Sequence, residues 1–149
     1  MENQARWKVA VASVVIQICL GSIYAWSVFL EPLMREFGWS KIETSLTFTF
    51  VLVAYALAMN FGGRWQDKIG PRQVATTGGV LLALGYVLAS HVNSLWGLYI
   101  TYGILSGIGV GIGYSCPISV CLKWFPDKKG FITGLAVAGF GSGALIFAP

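Results

Sequence analysis

Four charged side chains lie close together in an otherwise apolar part of the chain, in the segment GRWQDKIGPR, Gly63–Arg72. They are Arg64, Asp67, Lys68 and Arg72. A carboxylate beside cationic groups forms charge-assisted hydrogen bonds, which are about twice as strong as neutral ones. The segment can therefore form an ion-pair network, and its single acid needs an explanation of its own.

Uncharged hydrogen-bonding side chains form a second candidate group. Gln17, Gly21 and Tyr24 are spaced i, i+4, i+7 and share one face of a helix. Tyr99 and Tyr114 are expected to align in the same way on a later helix. Buried Gln and Tyr need hydrogen-bond partners, which in a membrane are a neighbouring helix or a polar pathway. Both interpretations stay open, with Gln17, Tyr24 and Tyr114 as candidate binding residues.

The remaining reactive side chains do not indicate an enzyme. Cys19, Cys116 and Cys121 are odd in number, and their spacing suits neither zinc nor a redox pair. His91 is expected at the membrane surface. The glycine-rich run GIGVGIG lacks the spacing of a dinucleotide-binding loop. With no nucleophile–base constellation or metal cluster in the sequence, we expect no enzyme, no metal and no cofactor.

The elements that carry these residues are long and apolar. The chain has 149 residues, of which 56% are hydrophobic and 11% are charged, whereas a soluble domain has about 25% charged residues. Four runs contain no charge, and roughly 20 apolar residues cross a bilayer core as a helix. Lipid provides no partner for backbone N–H and C=O groups, so the segments must be helical. Because the polar patch SHVNS divides the longest run, we predict an all-α integral membrane bundle over residues 1–149, with helices at about 9–30, 44–63, 73–90, 95–122 and 130–149.

Basic residues are distributed unevenly between the two ends of these predicted helices. Eight Lys and Arg residues fall on the side of the N-terminus and two on the other. Short cytoplasmic connections carry the excess of Lys and Arg, so the N-terminus is predicted to be cytoplasmic. The net charge of +4 then requires no nucleic acid partner. Topology alone is expected to explain five of the basic residues, namely Arg6, Lys8, Lys123, Lys128 and Lys129.

Glycines predict that the helices pack closely. Gly103, Gly107 and Gly111 recur every four residues on predicted helix 4, and Gly139 and Gly143 continue the theme on predicted helix 5. Lipid exerts no hydrophobic force between helices, so small residues that let backbones approach hold such a bundle together.

The charged segment resembles the signature G-x-x-x-D-[RK]-x-G-[RK]-[RK] of the major facilitator superfamily. The matching residues are Gly63, Asp67, Lys68, Gly70 and Arg72, whereas Pro71 replaces a basic residue of the family pattern. Three further stretches are similar to the oxalate/formate antiporter family, which is close to the monocarboxylate transporters. They are GSIYAWSVF (21–29), KWFPDKKG (123–130) and AGFGSG (138–143).

This resemblance implies the N-terminal helical bundle of a secondary transporter. Such a carrier moves small carboxylates across the cytoplasmic membrane by alternating access, with two six-helix halves rocking about a central site. Helices 1 and 4 would line the cavity, with Tyr24 and Tyr114 related by a two-fold axis in the membrane plane. The segment around Asp67 would be a gating loop that latches the cytoplasmic side.

The sequence departs from related transporters in ways that limit the mechanism. Tyr102 and Gly103 stand where proton-linked members often carry Arg, and Phe140 follows Gly139 where antiporters have Pro. Exchange and uniport therefore both remain open. No span holds a charge, and the resemblance implies that a cation for the substrate lies in a C-terminal half. We expect an N-terminal fragment of a carrier with about twelve helices. The alternatives are a carrier for another solute and a short, non-transporting membrane subunit.

Overall fold

The computed structural model describes residues 2–148 of the chain, and the side chains of residues 4–148. The regular structure of these residues is entirely helical. The elements are α1 (Glu2–Leu20), a 3₁₀ turn (Gly21–Ala25), α2 (Trp26–Phe37), α3 (Lys41–Ile69), α4 (Pro71–Ala89), α5 (Leu95–Leu98), a π-helical segment (Tyr99–Ser106), α6 (Gly107–Trp124) and α7 (Lys129–Phe147). Because the 3₁₀ turn joins α1 to α2 and the π segment joins α5 to α6, the chain forms five long helices.

Four of the five are long and apolar enough to cross a membrane: Gln4–Phe37, Lys41–Ile69, Leu95–Trp124 and Lys129–Phe147. The fifth, α4, holds Arg72 and Gln73 in its first turn and lies outside this set. The predicted all-α membrane class is confirmed. The helices extend beyond the uncharged runs, since α3 continues to Ile69 where the sequence predicts an end near residue 63. Long basic side chains permit this extension because their charged ends can reach water.

Glycine and proline make the corner between α3 and α4. Gly70 has φ of +90°, a backbone conformation that side chains disfavour. Its N–H donates to the carbonyl of Gln66 at 2.9 Å, which closes the last turn of α3. Pro71 follows as the first residue of α4, where its missing N–H costs nothing. Pro71 is therefore compatible with a sharp change of direction at this point of the motif.

The centre of the bundle is the α5–α6 helix, which packs against two neighbours through two different rows of glycine. Gly103, Gly107 and Gly111 lie against α3, and a Cβ atom at Gly107 would come within 2.7 Å of the Val51 carbonyl oxygen. Gly109 and Gly113 lie against α4, where Gly78 approaches both of them. Glycine on both faces allows α6 to contact two backbones at once.

A third close contact joins the 3₁₀ turn to α7. A Cβ atom at Gly143 would lie 2.5 Å from the Gly21 carbonyl carbon, and one at Gly21 would overlap the Phe140 carbonyl oxygen. One turn away, a Cβ at Gly139 would lie 3.2 Å from the Val14 side chain. Helix 1 and α7 therefore approach at backbone distance.

Polar contacts connect the helices at both ends of the bundle. At one end, Arg6 forms an ion pair with Asp127 and donates from Nε to the Trp124 carbonyl oxygen at 2.8 Å. Its guanidinium group also lies 4.5 Å from the centre of the Phe125 ring. At the opposite end, the Tyr99 hydroxyl donates to the Glu43 carbonyl oxygen at 2.7 Å. The expectation that topology alone explains Arg6 is wrong, because this side chain has three specific contacts.

Candidate functional site

Four aromatic side chains from four different elements converge inside the bundle. They are Tyr24 of the 3₁₀ turn, Tyr55 of α3, Tyr114 of α6 and Phe140 of α7, and we call them the aromatic cluster. Phe140 is central, since its ring centroid lies 4.8 Å from that of Tyr114 and 5.2 Å from that of Tyr24. Tyr55 and Tyr114 meet edge to face at 5.5 Å. These separations are favourable for aromatic pairs.

Gln17 of α1 connects to the same region from a fully buried position. Its side-chain Nε2 donates to the Tyr114 carbonyl oxygen at 3.3 Å. Because the backbone carbonyl of Tyr114 can only accept a hydrogen bond, the NH₂ end of the Gln17 side-chain amide must face it. The opposite oxygen, Oε1, is buried and has no hydrogen-bond partner among the residues described. Gln17 therefore retains one acceptor for a proton-bearing group of a solute or a water molecule.

The cluster has hydrogen-bond donors but no charge. Tyr24 is 39% exposed, while Tyr55 and Tyr114 are partly buried, so the cluster has an accessible side. Phenol hydroxyl groups can donate to an oxygen of a bound solute. They do not neutralise a full negative charge, which is costly to bury without a cation. The arrangement therefore suits recognition of a small polar solute.

The structure brings together the three predicted binding residues and adds two that the sequence analysis missed. Gln17 contacts Tyr114, and Tyr24 and Tyr114 both pack on Phe140. Tyr55 had a usable signal, since it is the only tyrosine in the uncharged run of predicted helix 2. Phe140 had none, because an apolar residue in an apolar helix does not show which face meets a cavity.

Tyr99 does not belong to the cluster, because it lies fifteen residues from Tyr114, roughly 22 Å along the helix axis. Both tyrosines contact α3, since the Tyr99 ring lies 5.0 Å from that of Phe50 and the Tyr114 ring lies 5.5 Å from that of Tyr55. Trp26, which follows the 3₁₀ turn, packs on Tyr102 with their ring centroids 4.7 Å apart.

The predicted gating segment is mostly helical rather than a loop. Gly63, Asp67 and Lys68 lie in the last turns of α3, Gly70 forms the corner, and Arg72 lies in the first turn of α4. Asp67 is exposed, and it makes no ion pair within the part of the chain that the structure describes. Its carboxylate is therefore accessible to a contact from outside these helices.

Known proteins define the class to which this bundle belongs. A family model described as Major Facilitator Superfamily matches residues 11–149, which is nearly the whole chain. The chain therefore belongs to the major facilitator superfamily, a family of membrane transporters, as the motif at Gly63–Arg72 predicts.

Individual relatives agree with the narrower resemblance. The chain is 34% identical over 145 residues to the oxalate:formate antiporter of Oxalobacter formigenes. This alignment covers 97% of the chain and 34% of that protein. It is 32% identical over 145 residues to the uncharacterized MFS-type transporter YhjX of Escherichia coli, covering 97% of the chain and 36% of the relative. It is 31% identical over 132 residues to monocarboxylate transporter 13 of Rattus norvegicus, and this alignment covers 89% of the chain and 31% of the relative. The chain thus spans about a third of the length of these relatives.

Proposed function

We propose that these helices form part of a secondary transporter that carries small carboxylates across the cytoplasmic membrane by alternating access. The observation that carries this proposal is the aromatic cluster, where hydroxyl donors from three elements converge beside the buried amide of Gln17. Two of the similar proteins are named for carboxylate transport, one for oxalate and formate and one for monocarboxylates.

The chemistry of the cluster fits a carboxylate that is held but not fully neutralised. Tyr24, Tyr55 and Tyr114 can each donate a hydroxyl hydrogen bond to a carboxylate oxygen. The uncharged runs of the sequence supply no Lys or Arg at this depth. Since an unpaired charge inside a membrane protein is costly, the compensating cation must come from another part of the carrier. Weak, uncharged donors on this side would let the anion leave again during each cycle.

Alternating access is supported by the backbone of two of the helices that contribute to the cluster. Helix 1 contains the 3₁₀ turn Gly21–Ala25, and the α5–α6 helix contains the π segment Tyr99–Ser106 and Pro117. Pro117 removes a backbone hydrogen bond, and proline positions in helices are common sites of kinks. These irregular turns are suitable places for the helices to bend.

Transport itself tests the proposal. The product of the complete reading frame that encodes this chain should be purified and reconstituted in liposomes loaded with unlabelled oxalate, formate or lactate. We expect radiolabelled carboxylate to enter only when a carboxylate is present inside, if the carrier exchanges. Entry into unloaded liposomes would indicate uniport. If the carrier moves none of the three acids and transports a neutral or cationic solute instead, the proposed substrate class is wrong.

We further propose that the N-terminus lies in the cytoplasm, because eight Lys and Arg residues fall at that end of the helices and two at the other. One cysteine is added at a time, Asn93→Cys or Lys128→Cys, in a background where the exposed Cys19 is Ser and the buried Cys116 and Cys121 remain. Labelling of intact cells with a membrane-impermeant maleimide then tests this orientation. Asn93→Cys should react and Lys128→Cys should react only after the cells are permeabilised. The reverse pattern would overturn the orientation without affecting the proposed substrate.

A further inference from the structure

An apolar groove runs along the surface of the bundle between α3 and the α5–α6 helix. Its volume is about 390 Å³, and all the side chains that line it are apolar. Phe50, Leu57 and Phe61 form one wall, and Ile104 and Ile108 form the other. Leu57 and Phe61 are 61% and 68% exposed, so the groove opens to the surroundings of the helices rather than to the interior. In a membrane those surroundings are lipid acyl chains or another apolar segment.

The length of the groove matches one leaflet. Phe50 and Phe61 are eleven residues apart on α3, a rise of roughly 16 Å at about 1.5 Å per residue. The hydrocarbon core of a bilayer is about 30 Å thick, so this wall covers about half of it. An acyl chain belonging to one leaflet extends over the same depth.

Two basic side chains continue the same face of α3 beyond the end of the groove. Leu57, Phe61, Arg64 and Lys68 are spaced i, i+4, i+7 and i+11, which places them in one row along the helix. Arg64 follows Phe61 by about 4.5 Å along the axis and Lys68 by about 10 Å. Both are exposed, and neither forms an ion pair with a carboxylate in the described part of the chain.

Charge and side-chain type around this row indicate the kind of group that would sit there. Asp67 is the one acid of the segment Gly63–Arg72, and Arg72 lies in the first turn of α4, so three bases outnumber one acid. Trp65, which is 40% exposed, lies beside Arg64, and Trp is enriched at the boundary between hydrocarbon and water. The site thus has an apolar channel at membrane depth and a positive end at the membrane surface.

We propose that this groove binds one anionic phospholipid, with an acyl chain between α3 and the α5–α6 helix and its phosphate at Arg64 and Lys68. Arginine and lysine both bind phosphate oxygens, Arg through paired N–H groups and Lys as a point charge. The apolar walls contribute no head-group selectivity, so the preference for an anionic lipid must come from the two bases. The proposal goes beyond carboxylate transport and does not depend on it.

Native mass spectrometry of the purified chain measures this binding directly. The detergent-solubilised protein is titrated with phosphatidylglycerol and with phosphatidylcholine that carries the same acyl chains. We expect a one-to-one phosphatidylglycerol adduct at lower lipid concentration than any phosphatidylcholine adduct. Removing both bases with Arg64→Gln and Lys68→Gln should weaken phosphatidylglycerol binding roughly 10- to 30-fold, since each basic residue contributes on the order of a factor of five near an anionic lipid. The matched control, Lys128→Gln with Lys129→Gln, removes the same charge from the connection before α7 and should leave binding within about twofold.

The acyl-chain part of the proposal has its own variant. Val53→Trp places a large ring in the groove and should weaken binding of both lipids, whereas Val80→Trp, on the exposed face of α4 outside the groove, should not. Unchanged helical content by circular dichroism shows that each variant is folded, and Arg64→Lys with Lys68→Arg should preserve binding.

Several results would overturn the proposal. Equal binding of the two lipids, or an equal loss in the Lys128 and Lys129 control, would exclude a specific head-group contact. Displacement of the adduct by millimolar inorganic phosphate would indicate a simple anion site. A stable dimer that dissociates on Val53→Trp, with no lipid adduct, would show that a second copy of the chain fills the groove.

Discussion

Among the tyrosines of the aromatic cluster, Tyr114 is the one that also contacts Gln17. Its ring contacts Tyr55 and Phe140, and its backbone carbonyl accepts from Gln17. The hydroxyl can therefore be removed while the ring that packs the cluster stays in place. Tyr114→Phe therefore tests the proposed recognition of a solute separately from packing.

We predict that Tyr114→Phe weakens carboxylate binding by the reconstituted carrier about tenfold or more. A hydrogen bond to a charged group contributes roughly 1.5–3 kcal/mol, and about 1.4 kcal/mol corresponds to a factor of ten. Concentration dependence of radiolabelled carboxylate uptake measures the change, and the thermal unfolding temperature should stay the same. Tyr99→Phe is the control, because its hydroxyl bonds Glu43 away from the cluster and its removal should affect stability rather than affinity. If Tyr114→Phe and the unmodified carrier have equal affinity for the carboxylate, the Tyr114 hydroxyl does not contact the substrate.

At the level of the helices, two adjacent glycines of α4 occupy opposite situations. A Cβ atom at Gly78 would lie 2.7 Å from the Gly109 carbonyl oxygen and 2.8 Å from the Gly113 nitrogen. A Cβ at Gly79 would meet nothing within 4 Å.

We predict that Gly78→Ala destabilises the bundle by about 1–3 kcal/mol, since it forces two backbones apart. Gly79→Ala should be neutral or stabilising by up to about 1 kcal/mol, because Ala favours a helix over Gly. Thermal unfolding in detergent distinguishes them, and equal effects would contradict the close contact of α4 with α6.

The ion pair between Arg6 and Asp127 ties the start of helix 1 to the connection between α6 and α7. A hydrogen bond from its own backbone N–H, and then the hydrogen bond from Arg6, hold the pKa of the Asp127 carboxyl below its ordinary value of 3.8. A lowered pKa means that the stabilisation is present above the ordinary value and is lost as the pH falls through the lower, folded-state value.

We therefore predict that Asp127→Asn lowers the unfolding temperature at pH 7 and has no effect at a pH well below 3.8, where the unmodified carboxyl is itself protonated. The control is Arg35→Gln, which breaks an exposed pair with Glu31 whose side chains are 82% and 75% exposed. Pairs of that kind contribute little. If Asp127→Asn still lowers the unfolding temperature in acid, the effect has a cause other than the ion pair.

For the carrier as a whole, we propose that Asp67 acts on a partner beyond these helices. It is exposed at the end of α3 and has no ion-pair partner among the residues described. We predict that Asp67→Asn leaves membrane insertion and abundance unchanged and slows transport, because an amide cannot form the charge-assisted contact that would hold the cytoplasmic side closed. Initial uptake rates normalised to protein amount measure this. Asp127→Asn, which removes another acid near this end, should leave the transport rate much closer to normal. A transport rate in Asp67→Asn equal to that of the unmodified carrier would refute the latch.

The membrane class and the superfamily motif are both readable from the amino-acid order. They depend on properties that add along the chain, since about twenty uncharged residues must become helix in lipid wherever they occur. Which side chains meet across the bundle depends on the rotation and axial position of each helix against its neighbours. These cannot be obtained by adding up contributions of single residues along the chain. The contacts of Tyr55, Phe140 and Arg6 arise between elements far apart in sequence. Those contacts follow from the packed backbones alone, because glycine rows set how closely and at what rotation the helices approach.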